Sequence, residues 1–332
     1  MKRRTFIKSM SAGAMGLLLS GCGLNKQAAT REAAPAQPTT RAPLLYEAND
    51  NDAPIVYFTK EVSGQSLLKV YEMLGRRALG KVGIKISFES PNGSHLNPQL
   101  LKPLRDKTDG TFIDSNGFTP PRNTTEGNLR VAQQHGFTAV GPCDVLDADG
   151  DIDMLVTNGY HLKYARTGAH FDNYDSVISV VLFKAHHLPV YGGTMKNMSI
   201  CLASISGKAI LHSAGQNEQS YVNISGTVRE QSFADGVQAA MNYKKGRWCF
   251  INVLDNFDPD DSCQGTKNLG DIGILASLDP VALDQAAVDM TFGAADTEQR
   301  RQQWEEAHNV NILHYAEQLG VGRRHYRLVE VQ

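Results

Sequence analysis

The sequence predicts an α/β protein in which a mostly parallel sheet and its crossover helices form two lobes around a cleft. Strand-like runs of apolar residues alternate with helical patterns along most of the chain, and this alternation is typical of parallel strands joined by helices. The run 177–182 is apolar enough for a strand that is covered on both faces. Of the 332 residues, 41% are hydrophobic and 20% are charged, which allows a sizeable core and excludes a disordered chain.

Strands and helices are predicted to alternate in the first half of the folded region. β-branched and aromatic runs indicate the strands, and apolar residues at helical spacing indicate the helices. Because helices follow strands in this way, the connections should be right-handed crossovers within one sheet. The predicted strands are 55–58, 82–86, 111–113 and 137–140, and the predicted helices are 67–78, 98–105 and 125–134.

The second half continues with fewer and longer elements. Strands are predicted at 177–182, 248–253 and 272–275, with a helix at 233–243. A further helix should begin at Pro280, because Asp279 can cap it and proline is tolerated in the first helical turn. The last predicted helix covers 297–319 and ends at Gly320, a residue type that favours the left-handed turn after a helix.

The N-terminus predicts export. Residues 1–22 resemble a twin-arginine signal peptide, with Arg3 and Arg4 before a short apolar stretch, followed by Leu-Ser-Gly-Cys, which resembles a bacterial lipobox ending at Cys22. The apolar stretch is about half of the ~20 residues that a membrane-spanning helix needs. The alternative is a basic N-terminus with a chance cysteine. Residues 23–53 are rich in Ala, Thr, Gln and Pro and are expected to form a flexible linker, so that the folded domain covers 54–332.

These signals imply a location and two partners. Cys22 would be lipidated and hold the protein on the periplasmic side of a membrane or on the outer face of the cytoplasmic membrane, in the cell envelope. The expected partners are therefore the lipid membrane, through Cys22, and the twin-arginine export machinery. The formal net charge is −2, and four of the basic residues lie in the first eight positions, so the body is acidic and nucleic acid is not expected as a partner.

The five cysteines exclude some kinds of metal site. No Cys-x-x-Cys pair occurs, so the chain has no ferredoxin-type cluster motif and no zinc ribbon of its own. A metal site built from other ligands is still possible. Twin-arginine export carries folded proteins, which is in keeping with a bound cofactor.

Polar side chains follow several predicted strands. In parallel sheets, ligands bind at the carboxyl ends of the strands, in loops that the sheet holds in place. Such clusters are expected to contribute to one site, and they occur at 85–89, 114–116, 183–187, 255–263 and 277–279.

Two blocks of the sequence carry a recognisable pattern. The first block reads FKAH, YGGTMKNM, AS, GK and HS at 183–186, 191–198, 203–204, 207–208 and 212–213, and the second reads DIGILASLDPVALDQ at 271–285. In these blocks the sequence resembles the bacterial and archaeal family DUF362, a domain of unknown function. The resemblance covers about 55–326.

The chain also departs from this family pattern. Many members carry a ferredoxin-like insert with two cysteine-rich runs, which is absent here. Members also tend to have Asp-Cys-Asp-Cys where this chain reads Asp-Asp-Ser-Cys at 260–263, so one thiolate is replaced by a carboxylate. This weakens an iron–sulfur role but leaves a mixed oxygen and sulfur ligand set.

Three groups of candidate site residues follow. Lys184, His186 and Lys196 are the predicted catalytic residues, because an imidazole between two ammonium groups suits proton transfer on an anion. On periodicity alone, a solvated rim of lysines with structurally bonded histidines is the better interpretation, and the family resemblance reverses that preference. The predicted cofactor-binding residues are Lys85, Glu89, Asn197 and His212. The predicted metal ligands are Asp258, Asp260, Asp261 and Cys263, with a solvated acidic loop as the alternative.

Two alternative functions are predicted. The first hypothesis is a membrane-anchored protein that uses a metal or other cofactor for redox or acid/base chemistry on an anionic small molecule. His186 would carry the proton or bind the cofactor, and Lys184 and Lys196 would hold the anion. The second hypothesis is a lipoprotein without catalytic activity that binds a ligand or a partner, such as a separate ferredoxin-type redox protein. Whether the chain is an enzyme stays open at this point.

Overall fold

The structure is a computed structural model, and it describes residues 44–185, 191–257, 270–291 and 311–332. The described residues all fall in one compact unit, Ala42–Gln332, where the sequence predicts two lobes. One continuous sheet runs through this unit, which is the reason that it does not divide.

The main sheet has eight strands in the order β12-β1-β11-β10-β7-β2-β3-β4. Seven of them are parallel to one another, and β11 alone runs antiparallel to both of its neighbours. The strands are β1 (Ile55–Thr59), β2 (Val82–Lys85), β3 (Thr111–Asp114), β4 (Cys143–Val145), β7 (Ser176–Leu182), β10 (Trp248–Leu254), β11 (Gly273–Ser277) and β12 (Arg327–Glu330). Two small antiparallel sheets pair β5 (Asp151–Leu155) with β6 (Tyr164–Gly168), and β8 (Lys184–Ala185) with β9 (Tyr191–Gly192).

Helices cover both faces of the sheet, as the predicted α/β class requires. Several begin at Ser, Thr or Asn caps whose side chains accept a backbone N–H of the first turn. The helices are α1 (Gly64–Met73), α2 (Pro98–Thr108), α3 (Thr125–Gln134), α4 (Phe137–Val140), α5 (Thr194–Met198), α6 (Ile205–His212), α7 (Gly226–Tyr243), α8 (Pro280–Thr291) and α9 (Ile312–Gln318), with a 3-10 helix at Ala169–Asn173.

The core has two halves, one on each face. Val177 of β7 packs on the side of α5 to α9, whereas Ile178 and Val180 pack on the side of α1 to α4. Alternate residues of a strand point to opposite faces of the sheet. A central strand that is apolar on both faces therefore needs other elements packed against both of them. The prediction from the run 177–182 is therefore confirmed.

One predicted strand and the predicted position of one polar cluster are wrong. The run 137–140 is helix α4, and the strand at this position is β4, which begins at Cys143. The cluster 277–279 lies at the opposite edge of the sheet from the other polar clusters, because β11 is antiparallel. The capping prediction is correct, since Oδ1 of Asp279 accepts the N–H groups of Val281 and Ala282, each at 2.9 Å.

Among the described residues, no helix is both long enough and apolar enough to cross a membrane.

Candidate functional site

A buried lysine joins the ends of two neighbouring parallel strands. Lys85, the last residue of β2, has no solvent exposure, and its Nζ donates to Asp114 Oδ1 at 3.0 Å and to Asn197 Oδ1 at 2.9 Å. A third N–H bonds the carbonyl of Ile86 at 2.7 Å. An ammonium group has three donors, so Lys85 uses all of them inside the protein. The polar clusters after β2 and β3 therefore meet, as the sequence predicts.

Asp114 also forms a salt bridge with a second cation, Arg122, which the sequence did not indicate. Its Oδ2 accepts Arg122 Nη2 at 2.5 Å and the N–H of Phe88 at 2.9 Å. Arg122 also donates through Nε to Asn128 Oδ1 at 2.8 Å. One carboxylate thus balances two cations, and its charge-assisted bonds hold the loop after β2 against the loop that contains Arg122.

A cleft opens beyond this buried triad, at the carboxyl ends of β2 and β7. The cleft is narrow and open to solvent, with a volume of about 30 Å³, which is room for one or two water molecules. Lys184 Nζ lies 3.2 Å from Glu89 Oε1 and donates to the carbonyl of Ser94 at 2.9 Å. The charged and polar residues that line the cleft are Ser87, Glu89, Lys184, Lys196, Asn197 and Cys201.

The cleft keeps Glu89 ionised. Burial alone would raise the pKa of Glu89, but the positive charges of Lys184, Lys196 and Arg122 outweigh it and hold the pKa below its usual value. Glu89 also has a φ of +60°, in the left-handed region that side chains other than glycine seldom adopt. Such backbone conformations often occur at functional sites, where the surrounding structure maintains them.

Helix α5 brings Lys196 and Asn197 to the cleft. Asp284, from the second sequence block, accepts the N–H groups of Thr194 and Met195 at the start of this helix, each at 2.8 Å. Its carboxylate also accepts the Asn252 amide at 2.7 Å. Burial raises the pKa of Asp284 to about 6, although these donors oppose the effect.

The residue before α5 must be small. A Cβ added to Gly193 would lie 2.7 Å from Asp284 Oδ2 and 2.7 Å from a ring carbon of Tyr191. A Cβ on Gly192 would meet nothing closer than 3.7 Å. Gly193 therefore allows the close approach of Asp284 to the helix terminus.

His212 is the most strongly shifted histidine near the cleft. Burial lowers its pKa to about 4, and the charges of Arg229, Lys196 and Lys208 act in the same direction. Its ring lies 4.0 Å from that of Tyr221 and 5.1 Å from that of Phe233, between ring centroids. The imidazole is neutral at physiological pH and packs as an aromatic ring.

The structure brings together five of the predicted site residues. Glu89, Lys184, Lys196 and Asn197 line the cleft, and Lys85 bonds Asn197. His212 does not line the cleft, and its ring packs against Tyr221 and Phe233. His186, Asp258, Asp260, Asp261, Cys263 and Cys22 lie outside the described residues, so their roles stay predictions. Within the described ranges, no three His, Cys, Asp or Glu side chains are placed to hold a metal ion.

Several residues in or beside the cleft are not among the predicted site residues. Arg122 has no motif or periodicity around it that could have indicated its position. Lys208 and Asp284 did carry a signal, because both fall in the two blocks that resemble DUF362. Cys201 lies between matched segments of the first block and was not singled out.

Comparisons with known proteins give distant neighbours in structure. The lactate racemase apoprotein from Thermoanaerobacterium thermosaccharolyticum is similar with a TM-score of 0.39 and 12% identity, over 60% of this chain and 50% of the racemase. A protein from Thermotoga maritima is similar with a TM-score of 0.43 and 11% identity, over 69% of this chain and 58% of that protein. The chain thus spans about half the length of the racemase. No curated protein matches the chain in sequence.

The family profile gives a clear result. The profile of DUF362, described as a domain of unknown function, matches residues 82–289, which include both sequence blocks. The expected resemblance is confirmed over this range, which is more than half of the chain. The chain therefore belongs to the DUF362 family.

Proposed function

We propose that this protein binds a small anionic molecule in the cleft and exchanges a proton with it. One observation carries the proposal. Lys196 lines the cleft and forms no salt bridge or hydrogen bond through its ammonium group with any residue that the structure describes. A half-buried ammonium that makes no direct ion pair can take an anionic ligand, although the ionised Glu89 lies within electrostatic range of it.

The proton transfer is proposed for the Lys184–Glu89 pair. Glu89 is ionised at neutral pH and lies 3.2 Å from the Lys184 ammonium, so a base and an acid line the same cleft. A positioned acid and base are what proton transfer to a bound molecule requires. His186 follows Lys184 by two residues and is proposed as a further proton carrier.

Anion binding is tested by titration calorimetry of the full chain with acetate, propionate, malonate and succinate. Lys196→Gln should weaken binding about tenfold, because one charge-assisted contact is lost. Lys102→Gln is the matched control, since Lys102 lies on α2 with an exposed side chain and pairs with Asp106. If none of these anions binds the unmodified chain, or if both variants bind them equally, the proposal is wrong.

A binding protein without catalysis is the second candidate. The supporting observation is the fully bonded Lys85, which gives the floor of the site a structural role. One experiment distinguishes the two candidate functions. The protein is incubated in heavy water with a carbon acid that it binds, and NMR measures the exchange of deuterium into that molecule. Exchange that Glu89→Gln abolishes supports catalysis, whereas binding without exchange supports the binding protein.

We further propose that the protein binds a metal ion or a redox cofactor. Asp258, Asp260, Asp261 and Cys263 are proposed as metal ligands, because carboxylates and one thiolate form a usable mixed ligand set. Elemental analysis and an absorbance spectrum of the protein from its native export route test this part. Cys263→Ala should then lose the metal while Cys143→Ala keeps it. A colourless, metal-free and folded protein would favour a separate ferredoxin-type redox partner.

The site is proposed to work outside the cytoplasm. The support is the twin-arginine pattern with the adjoining lipobox at Cys22, two signals that occur together at the expected spacing. Under this proposal the export machinery carries the folded chain, and the lipid on Cys22 holds it at a membrane.

A further inference from the structure

A basic cavity lies at the edge of the sheet opposite to the cleft. It has a volume of about 540 Å³ and is bounded by the end of α1, the end of α2 and Val82, the first residue of β2. The cleft lies at the carboxyl ends of β2 and β7, so the two sites are at opposite ends of the same parallel strands. The charged residues that line the basic cavity are Glu72, Arg76, Arg77 and Lys107.

Two of these cations have N–H donors to spare. Lys107 is neutralised by Glu72, with Nζ 2.9 Å from Oε1. Arg76 is exposed and donates through Nη1 to the carbonyl of Trp248 at 3.3 Å. Arg77 is exposed and forms no salt bridge with a residue that the structure describes. A guanidinium has five N–H donors in a planar arrangement that matches two oxygens of a phosphate, so the adjacent arginines suit a phosphate group.

Apolar side chains are exposed on both sides of the arginine pair in the chain. Met73 is 43% exposed and Leu79 is 55% exposed, and they are two of only five large apolar side chains that are exposed in the part of the chain that the structure describes. Basic residues beside exposed apolar ones are typical of segments that lie in the headgroup region of a membrane, where the charges meet lipid phosphates and the apolar side chains reach the acyl chains. A pocket for a soluble phosphate would not need the apolar pair.

The chain enters the fold at the same edge of the sheet. Residues 44–54 lead to the amino end of β1, and Ala48 donates its N–H to the carbonyl of Tyr326 at 2.7 Å, just before β12. β1 and β2 are parallel, so their amino ends lie at one edge. A lipid on Cys22, as proposed above, would therefore be joined to the domain at the edge that carries the basic cavity. The entering segment itself contains the acids Glu47, Asp50 and Asp52. Attraction to an anionic surface is therefore expected at the cavity and not along the whole edge.

We propose that the basic cavity binds the phosphate group of an anionic membrane lipid. Arg76 and Arg77 donate to the phosphate oxygens, and Met73 and Leu79 lie in the headgroup region beside it. The cleft then faces away from the bilayer, toward the molecules in solution. This inference rests on the part of the proposed function that places the chain at a membrane, and it adds the surface that contacts the lipid.

Vesicle sedimentation tests the lipid contact without the anchor. The full chain with Cys22→Ser is mixed with vesicles of equal parts phosphatidylglycerol and phosphatidylcholine, or of phosphatidylcholine alone, and it should bind the anionic vesicles more tightly. Arg76→Gln combined with Arg77→Gln should weaken that binding about 30-fold, because each basic residue near an anionic surface contributes about fivefold. Arg130→Gln combined with Lys163→Gln removes the same charge from exposed positions outside the cavity and should leave binding unchanged.

A fluorescence measurement reports which surface meets the lipid. In Leu79→Trp, the emission of the new indole should shift to shorter wavelength when anionic vesicles are added, because the ring leaves water. Tyr221→Trp is the control, since Tyr221 is 53% exposed and its ring contacts Phe118, beyond the carboxyl end of β3. The emission of this variant should not shift. Both substitutions are at exposed positions, so both variants should keep the fold.

The outcomes separate this surface from the anchor. Failure to bind anionic vesicles, equal losses in the two double variants, or a shift in Tyr221→Trp alone would each overturn the lipid contact. If glycerol phosphate binds the chain in titration calorimetry and the vesicles do not, the cavity takes a soluble phosphate and the lipid contact is again wrong. Palmitate labelling tests the anchor on Cys22 separately, so an anchored chain that fails the vesicle test overturns this inference alone.

Discussion

Lys85, Asp114 and Arg122 form a charged cluster in which one carboxylate serves two cations. The side chains of Lys85 and Asp114 are 0% and 1% exposed, and that of Arg122 is 17% exposed. Charges at this depth lose most of their hydration, so they are stable only with every partner in place. The cluster therefore contributes to the stability of the fold and also sets the floor of the cleft.

Removal of the shared carboxylate should cost more than removal of a cation. Asp114→Asn leaves Lys85 and Arg122 without a counter-charge, and we expect a loss of about 3 to 5 kcal/mol in the free energy of unfolding. Lys85→Met leaves Asp114 bonded to Arg122 and Phe88, so its loss should be smaller. Urea denaturation of each variant measures both values.

An exposed ion pair supplies the control for this comparison. Lys60 and Glu330 lie 3.2 Å apart with side chains that are 76% and 54% exposed. Glu330→Gln should change the free energy of unfolding by no more than about 0.5 kcal/mol. Equal losses for Asp114→Asn and Glu330→Gln would show that the buried cluster does not depend on its charge.

Glu230 should make stability depend on pH. The residue is 3% exposed, and its carboxylate oxygens form no hydrogen bond of good geometry with the described residues. Burial raises its pKa from the usual 4.5 to about 7, although the nearby N–H of Ile312 and the charge of Arg229 oppose this. Between these two values the native state holds a proton that the unfolded chain releases, so stability falls as pH rises from about 4.5 to 7.

Substitution of Glu230 by glutamine tests this dependence. Glu230→Gln should be more stable than the unmodified chain by about 3 kcal/mol at pH 8, because the ionised form no longer has to be buried. The difference should be small at pH 5, where the native carboxyl is protonated. Urea denaturation at both pH values is the measurement, with the exposed Glu126→Gln as control. A difference that does not change with pH would contradict the prediction.

At the scale of elements, one helix positions another. Helix α8 carries Asp279, which caps its own N-terminus, and Asp284, which accepts the first N–H groups of α5. Because α5 bears Lys196, the second sequence block acts on the cleft without lining it. Within this block, Asp284 thus holds the start of α5 in place.

Two capping aspartates on the same helix allow a matched comparison. Asp279→Ala and Asp284→Ala should each lower the free energy of unfolding by about 1 to 3 kcal/mol, because buried N–H groups lose their acceptor. Only Asp284→Ala should also weaken binding of succinate, since α5 is then released. Calorimetric melting and titration give the two readouts, and equal anion affinities for both variants would contradict a positioning role.

The wrong strand prediction at 137–140 has a local cause. A run of four residues is too short for its periodicity to distinguish a strand from one turn of helix. Gly136, with a φ of +86°, turns the chain after α3, so the run continues as α4 and the strand forms beyond Pro142. The direction of β11 has no local signal at all, because it depends on which strands lie beside it.

Across the whole molecule, the parallel sheet explains how much of the site the sequence could predict. β2 and β7 are neighbours with the same direction, so Glu89 and Lys184, which follow them, had to meet at one edge. Arg122 comes from a loop of irregular structure, and no general rule states where such a loop folds back. Residues at or just after the ends of strands were therefore predictable, and the contact made by the irregular loop that contains Arg122 was not.

The last prediction concerns the location of the whole protein. In a bacterium with twin-arginine export, the full chain should incorporate labelled palmitate and sediment with membranes, because an acyl chain partitions into the bilayer. Cys22→Ser should abolish the label, whereas Cys143→Ser, a control in the folded domain, should keep it. Arg3→Lys combined with Arg4→Lys should leave the folded protein in the cytoplasm. Palmitate that remains in the Cys22→Ser variant would show that the anchor lies elsewhere, and export that survives both arginine substitutions would contradict the twin-arginine route.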